Sequence, residues 1–216
     1  MFFKKKKKLA KSATLSDKNR KCKLSFCMSH KNRLDFLKQT LSINLAANLS
    51  NADQIEFVLV DFDSEEDVNG WVVENFQAEL SSGYLKYYTS DALDKWDASK
   101  AKNTAHEVAN GAIVVNLDCD NFTGPQGGQF VLDAFGEAKN EIVFWQYSGK
   151  KLDGTFGRIA TTKEAFSAIG GYDESFLPMG FQDGDLRNRL VAHGCQLIQE
   201  KNGLYARAIK NEKYVP

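Results

Sequence analysis

The chain has 216 residues, of which 43% are hydrophobic and 12% aromatic, and its 28 basic residues balance its 28 acidic ones. This length and composition suit one folded domain with a sizeable core and exclude a disordered chain. No apolar run reaches the roughly 18 residues of a transmembrane helix, which excludes that class of protein.

The cysteines and the N-terminus indicate the cellular compartment that suits the protein. Cys22, Cys27, Cys119 and Cys195 are scattered and form no Cys-x-x-Cys pair, so neither a zinc site nor a disulfide framework is expected. The N-terminus is basic but lacks a following apolar segment, unlike a secretory signal. A reduced, cytoplasmic setting fits both observations.

The zero net charge hides an asymmetry. Residues 1–23 carry ten positive charges and one negative charge, a net +9, so the rest of the chain carries −9. An acidic body argues against binding of nucleic acid. We predict a flexible basic tail over residues 1–23, which either holds the protein peripherally on the inner face of an anionic membrane, at about 1 kcal/mol per lysine, or is simply solvated.

Apolar patterning predicts strands that alternate with helices. In chain order, the predicted elements are a strand at 24–28, a helix over 32–49, a strand at 55–60, a helix around 68–76, a strand at 84–89, a helix over 98–110 and a strand at 112–117, followed later by helices over 162–169 and 183–193. This alternation predicts an α/β domain over residues 24–216, with a mainly parallel central sheet and helices on both faces.

Polar residues collect directly after the predicted strands. They comprise Ser29, Lys31 and Arg33 after the first strand, Asp61 and Asp63 after the second, and Asp118 and Asp120 after the strand at 112–117. Ligands of such sheets bind at the carboxyl ends of the strands. The pattern therefore indicates a binding site at one edge of the sheet.

The Asp118-Cys-Asp120 sequence is a candidate metal site. Neither GxGxxG nor GxxxxGK[ST] occurs in the expected place, so a glycine loop is not available to bind phosphates. Two carboxylates can instead hold Mg or Mn, which neutralises a diphosphate. The alternative is that these residues form only a polar turn.

Two segments carry a family resemblance. Lys102-Asn103-Thr104-Ala105 through Asp118-Cys-Asp120 resembles the nucleotide-sugar half of inverting GT-A-type family 2 glycosyltransferases. Residues 156–173 and Met179-Gly-Phe-Gln-Asp-Gly-Asp-Leu-Arg-Asn-Arg-Leu190 resemble the C-terminal catalytic segment of β1,4-galactosyltransferases. The resemblance implies a GT-A fold, a UDP-sugar donor and a place in polysaccharide biosynthesis.

The resemblance also implies roles for individual residues. Ser29, Lys31, Arg33, Asp61, Asp63, Asn103 and Asp118 would bind the nucleotide sugar, Asp118 and Asp120 would bind Mn or Mg, and Asp185, Met179 and Phe181 would contact the acceptor. Asp183 would be the base that deprotonates the acceptor hydroxyl. The alternative is that Asp183 and Asp185 are acidic first-turn residues that stabilise the N-terminus of a helix.

The expected function is inverting transfer of a hexose or N-acetylhexosamine from a UDP-sugar to a glycan or lipid-linked acceptor. A non-catalytic sugar-nucleotide or glycan-binding module, or a retaining N-acetylgalactosaminyltransferase, stays open as an alternative. The donor sugar, the linkage and a further metal ligand are not encoded in any motif, and His193 is expected to end a helix.

Overall fold

The computed structural model describes residues 10–11, 22–150 and 153–210. Its strands are β1 (Ala10–Lys11), β2 (Leu24–His30), β3 (Ile55–Asp61), β4 (Leu85–Thr89), β5 (Ile113–Asn116), β6 (Asn121–Phe122), β7 (Ile142–Tyr147), β8 (Ile159–Thr162), β9 (Gln196–Lys201) and β10 (Arg207–Ala208). Its α-helices are α1 (Leu34–Ala47), α2 (Val68–Asn75), α3 (Gln77–Ser82), α4 (Ala98–Glu107), α5 (Gly127–Glu137), α6 (Lys163–Ala168) and α7 (Gln182–Ala192). A 3-10 turn follows α1 at Leu49–Asn51.

Local capping sets the start of several helices. The Asp67 side chain accepts a hydrogen bond from the Gly70 amide at the start of α2, Asp97 does the same for the Lys100 amide of α4, and Thr162 for the Ala165 amide of α6. Each cap satisfies a backbone donor that the helix leaves unpaired, which contributes about 1 kcal/mol.

Eight strands form the central sheet in the order β1-β4-β3-β2-β5-β8-β7-β9. The pairs β2–β3, β3–β4, β2–β5 and β7–β9 are parallel, whereas β8 is antiparallel to both of its neighbours and β1 is antiparallel to β4. The strand order reverses at β2, which has β3 on one side and β5 on the other. A crevice is expected at the carboxyl ends of strands beside such a reversal.

Both faces of the sheet are buried. In β2 and β3, alternate side chains enter two separate cores, with Phe26 and Phe57 on one face and Cys27 and Val58 on the other. Residues of α1, α2, α3 and α5 pack on the first face, and residues of α4, α6 and α7 pack on the second. Burial on both faces explains why the strands are apolar without alternation.

The predicted α/β fold with a mainly parallel sheet and helices on both faces is confirmed. Individual boundaries differ, since β2 continues to His30 and α1 ends at Ala47, two residues before the predicted end of that helix at Leu49, which is 64% exposed. Within the described ranges, no helix is both long and apolar enough to cross a membrane. Most of the predicted basic tail, residues 1–9 and 12–21, lies outside the described residues.

Candidate nucleotide-sugar and transfer site

The carboxyl ends of β2 and β3 are joined by a buried side-chain pair. His30 Nδ1 lies 2.9 Å from Asp61 Oδ1, and His30 Nε2 accepts a hydrogen bond from the Arg33 amide at 3.3 Å. Because Nε2 accepts, Nδ1 carries the proton and donates to Asp61. Asp61 is therefore fixed at the predicted edge of the sheet, close to the start of α1.

The loops after β2 and β3 are hydrogen-bonded to each other. Lys31 Nζ donates to the carbonyl oxygens of Phe62 (2.6 Å) and Asp63 (3.1 Å), so its ammonium group ties the two loops together. Ser29 is buried, while the Asp63 side chain is exposed. The nucleotide-binding roles of these three predicted residues stay predictions.

The Asp118–Asp120 turn follows β5. Asn116 Nδ2 donates to Asp118 Oδ1 (3.1 Å), and Asn121 Nδ2 donates to Asp120 Oδ1 (2.8 Å). Arg33 reaches across from the start of α1, with NH1 3.4 Å from Asp120 Oδ2. The structure thus brings Arg33, Asp118 and Asp120 together, as the sequence predicts for a site at the strand ends.

The donor set of this turn fits a divalent cation. Burial, and after it the negative charge of Asp118, raises the pKa of the Asp120 carboxyl, although Asn121 and Arg33 oppose this. A cation between the two carboxylates would relieve this cost, and carboxylate oxygens are ligands that Mg and Mn prefer. No group of three or more His, Cys, Asp and Glu side chains suited to a metal exists among the described residues. Phosphate or water oxygens would therefore complete the coordination.

A buried lysine connects this turn to the predicted base. Lys102 of α4 is 5% exposed, and its Nζ lies 2.7 Å from Asp183 Oδ1 and 3.7 Å from Asp118 Oδ1. Burial alone would lower the pKa of Lys102, but Asp118 and Asp183 together raise it above its ordinary value. The ammonium group therefore stays charged between the two acids.

Gly157 lies between the same groups. A Cβ atom on Gly157 would lie 3.0 Å from Asp118 Oδ2, 3.2 Å from Asp183 Oδ2 and 3.3 Å from Lys102 Nζ. Its carbonyl oxygen accepts a hydrogen bond from Asn116 (2.9 Å), which holds the glycine against the Asp118 turn. The Oδ2 atoms of Asp118 and Asp183 therefore face one small space beside a residue that has no side chain.

Asp183 and Asp185 in the first turn of α7 have different partners. Whereas Asp183 meets Lys102, Asp185 Oδ2 accepts a hydrogen bond from Arg189 Nε at 2.7 Å. Arg189 NH1 also donates to the Ile169 carbonyl oxygen at 3.1 Å, which ties α7 to the end of α6. His193 ends α7 as its exposed C-cap residue, as the sequence predicts.

The segment before α7 exposes apolar side chains. Met179 is 47% exposed and Phe181 is 86% exposed, and Leu177 of the same segment is also exposed. Phe181 adopts a left-handed backbone conformation with φ of 63° directly before Gln182, the first residue of α7. Met179 and Phe181 are thus accessible to a ligand near Asp183, and their role as acceptor contacts stays a prediction.

Asn103 holds the loop between α6 and α7. Its Nδ2 donates to the Tyr172 carbonyl oxygen (2.9 Å) and to Glu174 Oε1 (3.0 Å), and its Oδ1 accepts from the Tyr172 amide (2.7 Å). Asn103 therefore fixes the loop against α4. Its predicted part in nucleotide-sugar binding stays a prediction.

Sequence reasoning missed three residues of this site: His30, Lys102 and Gly157. Lys102 carried a usable signal, because it occupies the face of α4 on which Ala98, Ala101 and Ala105 are buried. A lysine on a buried helix face must meet acids. Gly157 carried no comparable signal, since its neighbours come from three distant segments.

Comparison with protein families matches the C-terminal part of the chain. Residues 138–211 match a family model described as the N-terminal domain of galactosyltransferase. That range contains Gly157, Asp183 and Asp185 but not the Asp118–Asp120 turn. A comparison with curated protein sequences found no match.

Similar folds occur among solved glycosyltransferase structures. The mannosyltransferase PcManGT from Pyrobaculum calidifontis, in complex with GDP-Man and Mn²⁺, is 17% identical with a TM-score of 0.68, and the match covers 98% of this chain and 62% of that one. S. aureus TarS 1–349 in complex with UDP-GlcNAc is 16% identical with a TM-score of 0.70, covering 88% and 59%. The chain therefore spans about three fifths of these proteins and has the GT-A fold.

Proposed function

We propose that the chain is an inverting glycosyltransferase. It transfers a hexose or N-acetylhexosamine from a UDP-sugar to a glycan or lipid-linked acceptor. The GT-A fold, the galactosyltransferase match over residues 138–211, and the nucleotide-sugar complexes of the similar structures support this proposal.

The donor binds along the carboxyl ends of β2, β3 and β5. Asp61, oriented by His30, accepts a hydrogen bond from the nucleobase, and the Arg33 guanidinium contacts phosphate oxygens. Asp118 and Asp120 hold Mn or Mg, which when bound stabilises negative charge on the departing diphosphate as a Lewis acid. The buried position of Asp120 supports this assignment.

Asp183 accepts the proton of the attacking acceptor hydroxyl. As the acceptor oxygen bonds to the anomeric carbon, the bond from that carbon to the phosphate oxygen breaks and the nucleoside diphosphate leaves. Attack from the face opposite the leaving group inverts the anomeric configuration. Met179 and Phe181 offer apolar contact to the acceptor sugar, and Asp185 supports α7 through Arg189.

One observation carries the proposal: a single ammonium group, Lys102 Nζ, contacts both the donor-side acid Asp118 and the base Asp183. The two segments that resemble transferases, which are separated in the sequence, therefore meet in one site. A binding module that catalyses nothing has no need for a carboxylate beside the metal-binding turn.

A nucleotide-release assay tests the proposal. Purified protein is incubated with a panel of UDP-sugars and GDP-mannose, with a mixture of saccharide acceptors, and with Mn, Mg or EDTA. We expect metal-dependent release of the nucleoside diphosphate from one donor, loss of release in Asp120→Ala, and a product of inverted anomeric configuration by NMR. Release that is unaffected by EDTA and by Asp120→Ala would contradict the metal assignment, and a retained configuration would contradict inversion.

The cytoplasmic location and the membrane association of residues 1–23 are predictions from the sequence alone. Most of these residues lie outside the described ranges. Co-sedimentation of the full chain with vesicles that contain phosphatidylserine, at low and high salt, would test the membrane association.

A further inference from the structure

Lys102 is a buried cation that lies between two acids, Asp118 and Asp183. Its ammonium group lies 2.7 Å from Oδ1 of Asp183 and 3.7 Å from Oδ1 of Asp118. The other oxygen of each acid, Oδ2, faces the space beside Gly157. Lys102 therefore orients the Asp183 carboxylate, whereas Asn116 Nδ2, 3.1 Å from Asp118 Oδ1, orients that of Asp118.

We propose that Lys102 is a positioning residue of the transfer reaction: its bond to Oδ1 of Asp183 holds that carboxylate so that the other oxygen, Oδ2, faces the space beside Gly157. This inference rests on the proposed function. The Lys102 side chain is only 6% exposed and therefore acts through Asp183 rather than by contact with the substrate.

The surroundings of Lys102 favour this role over simple stabilisation of the fold. Burying an ammonium group costs several kcal/mol, and Lys102 stays charged there because it lies against Asp183 and Asp118. The lysine therefore depends on the two acids. Asp183 is 24% and Asp118 34% exposed, so water could hydrate either carboxylate without the lysine. Lys102 also lies 5.4 Å from the centre of the Tyr172 ring, which further restricts the ammonium group.

Three single variants of the full chain distinguish a positioning role of Lys102 from a role in folding alone. Lys102→Met removes the charge and keeps the stem, Lys102→Arg keeps a cation, and Lys100→Met is the matched control, since Lys100 is 48% exposed on the same helix and pairs with Asp97. kcat and the donor KM are measured with the donor that the wild-type protein uses, and circular dichroism melting checks folding.

We expect Lys102→Met to lower kcat by about 10- to 100-fold, as for a misplaced catalytic group, with the donor KM changed less than about threefold. Lys102→Arg recovers a large part of kcat, and Lys100→Met behaves as wild type. If Lys102→Met does not fold, Lys102→Gln replaces it, with the same expected split between kcat and KM.

A double-mutant cycle with Asp183→Asn gives the decisive result. If Lys102 acts through Asp183, adding Lys102→Met to Asp183→Asn lowers the residual rate no further. The inference is overturned if the double mutant loses as much additional rate as Lys102→Met does alone. It is also overturned if Lys102→Met mainly changes the donor KM or keeps the wild-type kcat. Absence of turnover by the wild-type protein with every donor would instead be a failure of the proposed function.

Discussion

Gly157 illustrates how a residue without a side chain can define a site. Its missing Cβ leaves open the space that the Oδ2 atoms of Asp118 and Asp183 face. Contacts of 3.0–3.3 Å to a new methyl group would displace these groups by a few tenths of an ångström. Such shifts matter little for folding but strongly for a reaction that needs aligned atoms.

We therefore predict that Gly157→Ala lowers kcat by about tenfold or more while the thermal midpoint changes little. Gly136→Ala is the matched control, because nothing lies within 4 Å of its added Cβ in α5. This control should keep full activity and gain about 0.5–1 kcal/mol of unfolding free energy. Equal kcat in Gly157→Ala and wild type would show that the space beside Gly157 is not used.

Phe181 combines an exposed ring with a strained backbone. A left-handed conformation costs a residue with a side chain about 1–2 kcal/mol, and the 86% exposed ring buries little surface in return. Such a feature suggests that the ring is kept for binding.

Phe181→Gly should therefore raise the unfolding free energy by about 1 kcal/mol, whereas Phe181→Ala should not, because alanine keeps the strain. Both variants should raise the acceptor KM. Urea denaturation and acceptor titrations measure the two effects. The acceptor assignment fails if both variants keep the wild-type KM.

Among single residues, the acids of the site were easier to predict from the sequence than the residues that pair with them. Asp118, Asp120 and Asp183 stood in recognisable patterns, but the pairing of Lys102 with Asp183 joins residues 81 positions apart. Sequence spacing predicts neighbours within one helix or strand and not across a sheet. His30 was likewise one of several polar residues at the end of a strand, with no local sign of its bond to Asp61.

Among the secondary-structure elements, α4 packs in the core on the second face of the sheet and also supplies side chains to the candidate site. It carries Lys102 and Asn103, and its His106 donates from Nδ1 to the Lys102 carbonyl oxygen at 2.7 Å. The His106 ring stacks on Phe166 with 4.6 Å between ring centres. Burial lowers the pKa of His106 to about 4, so the ring is neutral near pH 7.

This shift predicts a pH dependence of stability. Between pH 6.5 and about 4 the unfolded chain binds a proton at His106 that the folded protein excludes, so stability falls as the pH falls. From pH 6.5 to 5 the wild type should lose about 2 kcal/mol more unfolding free energy than His106→Gln in urea titrations. Parallel curves for wild type and His106→Gln would contradict the prediction.

The type and order of the elements and the mainly parallel sheet were largely predictable, and the antiparallel direction of β8 was not. Largely apolar runs such as Ile55–Val60, in which only Glu56 is charged, identify buried strands from composition. The antiparallel insertion of β8 between β5 and β7 depends on how a long connection returns to the sheet. No local pattern encodes that path.

For the molecule as a whole, the proposed metal-binding turn, Asp118–Asp120, lowers stability at neutral pH in the absence of a cation. Because the pKa of Asp120 is raised in the folded state, its ionisation lowers stability once the pH exceeds the ordinary carboxyl value, and the loss persists at neutral pH. Bound cation and nucleotide would reverse this loss by mass action.

Asp120→Asn should accordingly melt at the same or a higher temperature than the wild type at pH 7.5 without metal. Addition of Mn and UDP should raise the midpoint of the wild type but not of this variant. Asp153→Asn is the contrast, because hydrogen bonds from Ser148 and Thr155 outweigh burial and lower the pKa of Asp153, so its loss should lower the midpoint. A metal-induced rise in Asp120→Asn equal to that of wild type would contradict the assignment.

The central claim is that Asp183 performs catalysis in the same site where Asp118 and Asp120 bind the donor. Its most direct test measures kcat and the affinity for UDP with Mn in Asp183→Asn, beside Asp133→Asn on α5 at the opposite face of the sheet. We predict that Asp183→Asn lowers kcat by at least about 100-fold, while its Kd for UDP stays within a few-fold of the wild-type value. Asp133→Asn should keep the wild-type kcat and Kd. Wild-type kcat in Asp183→Asn would contradict the account.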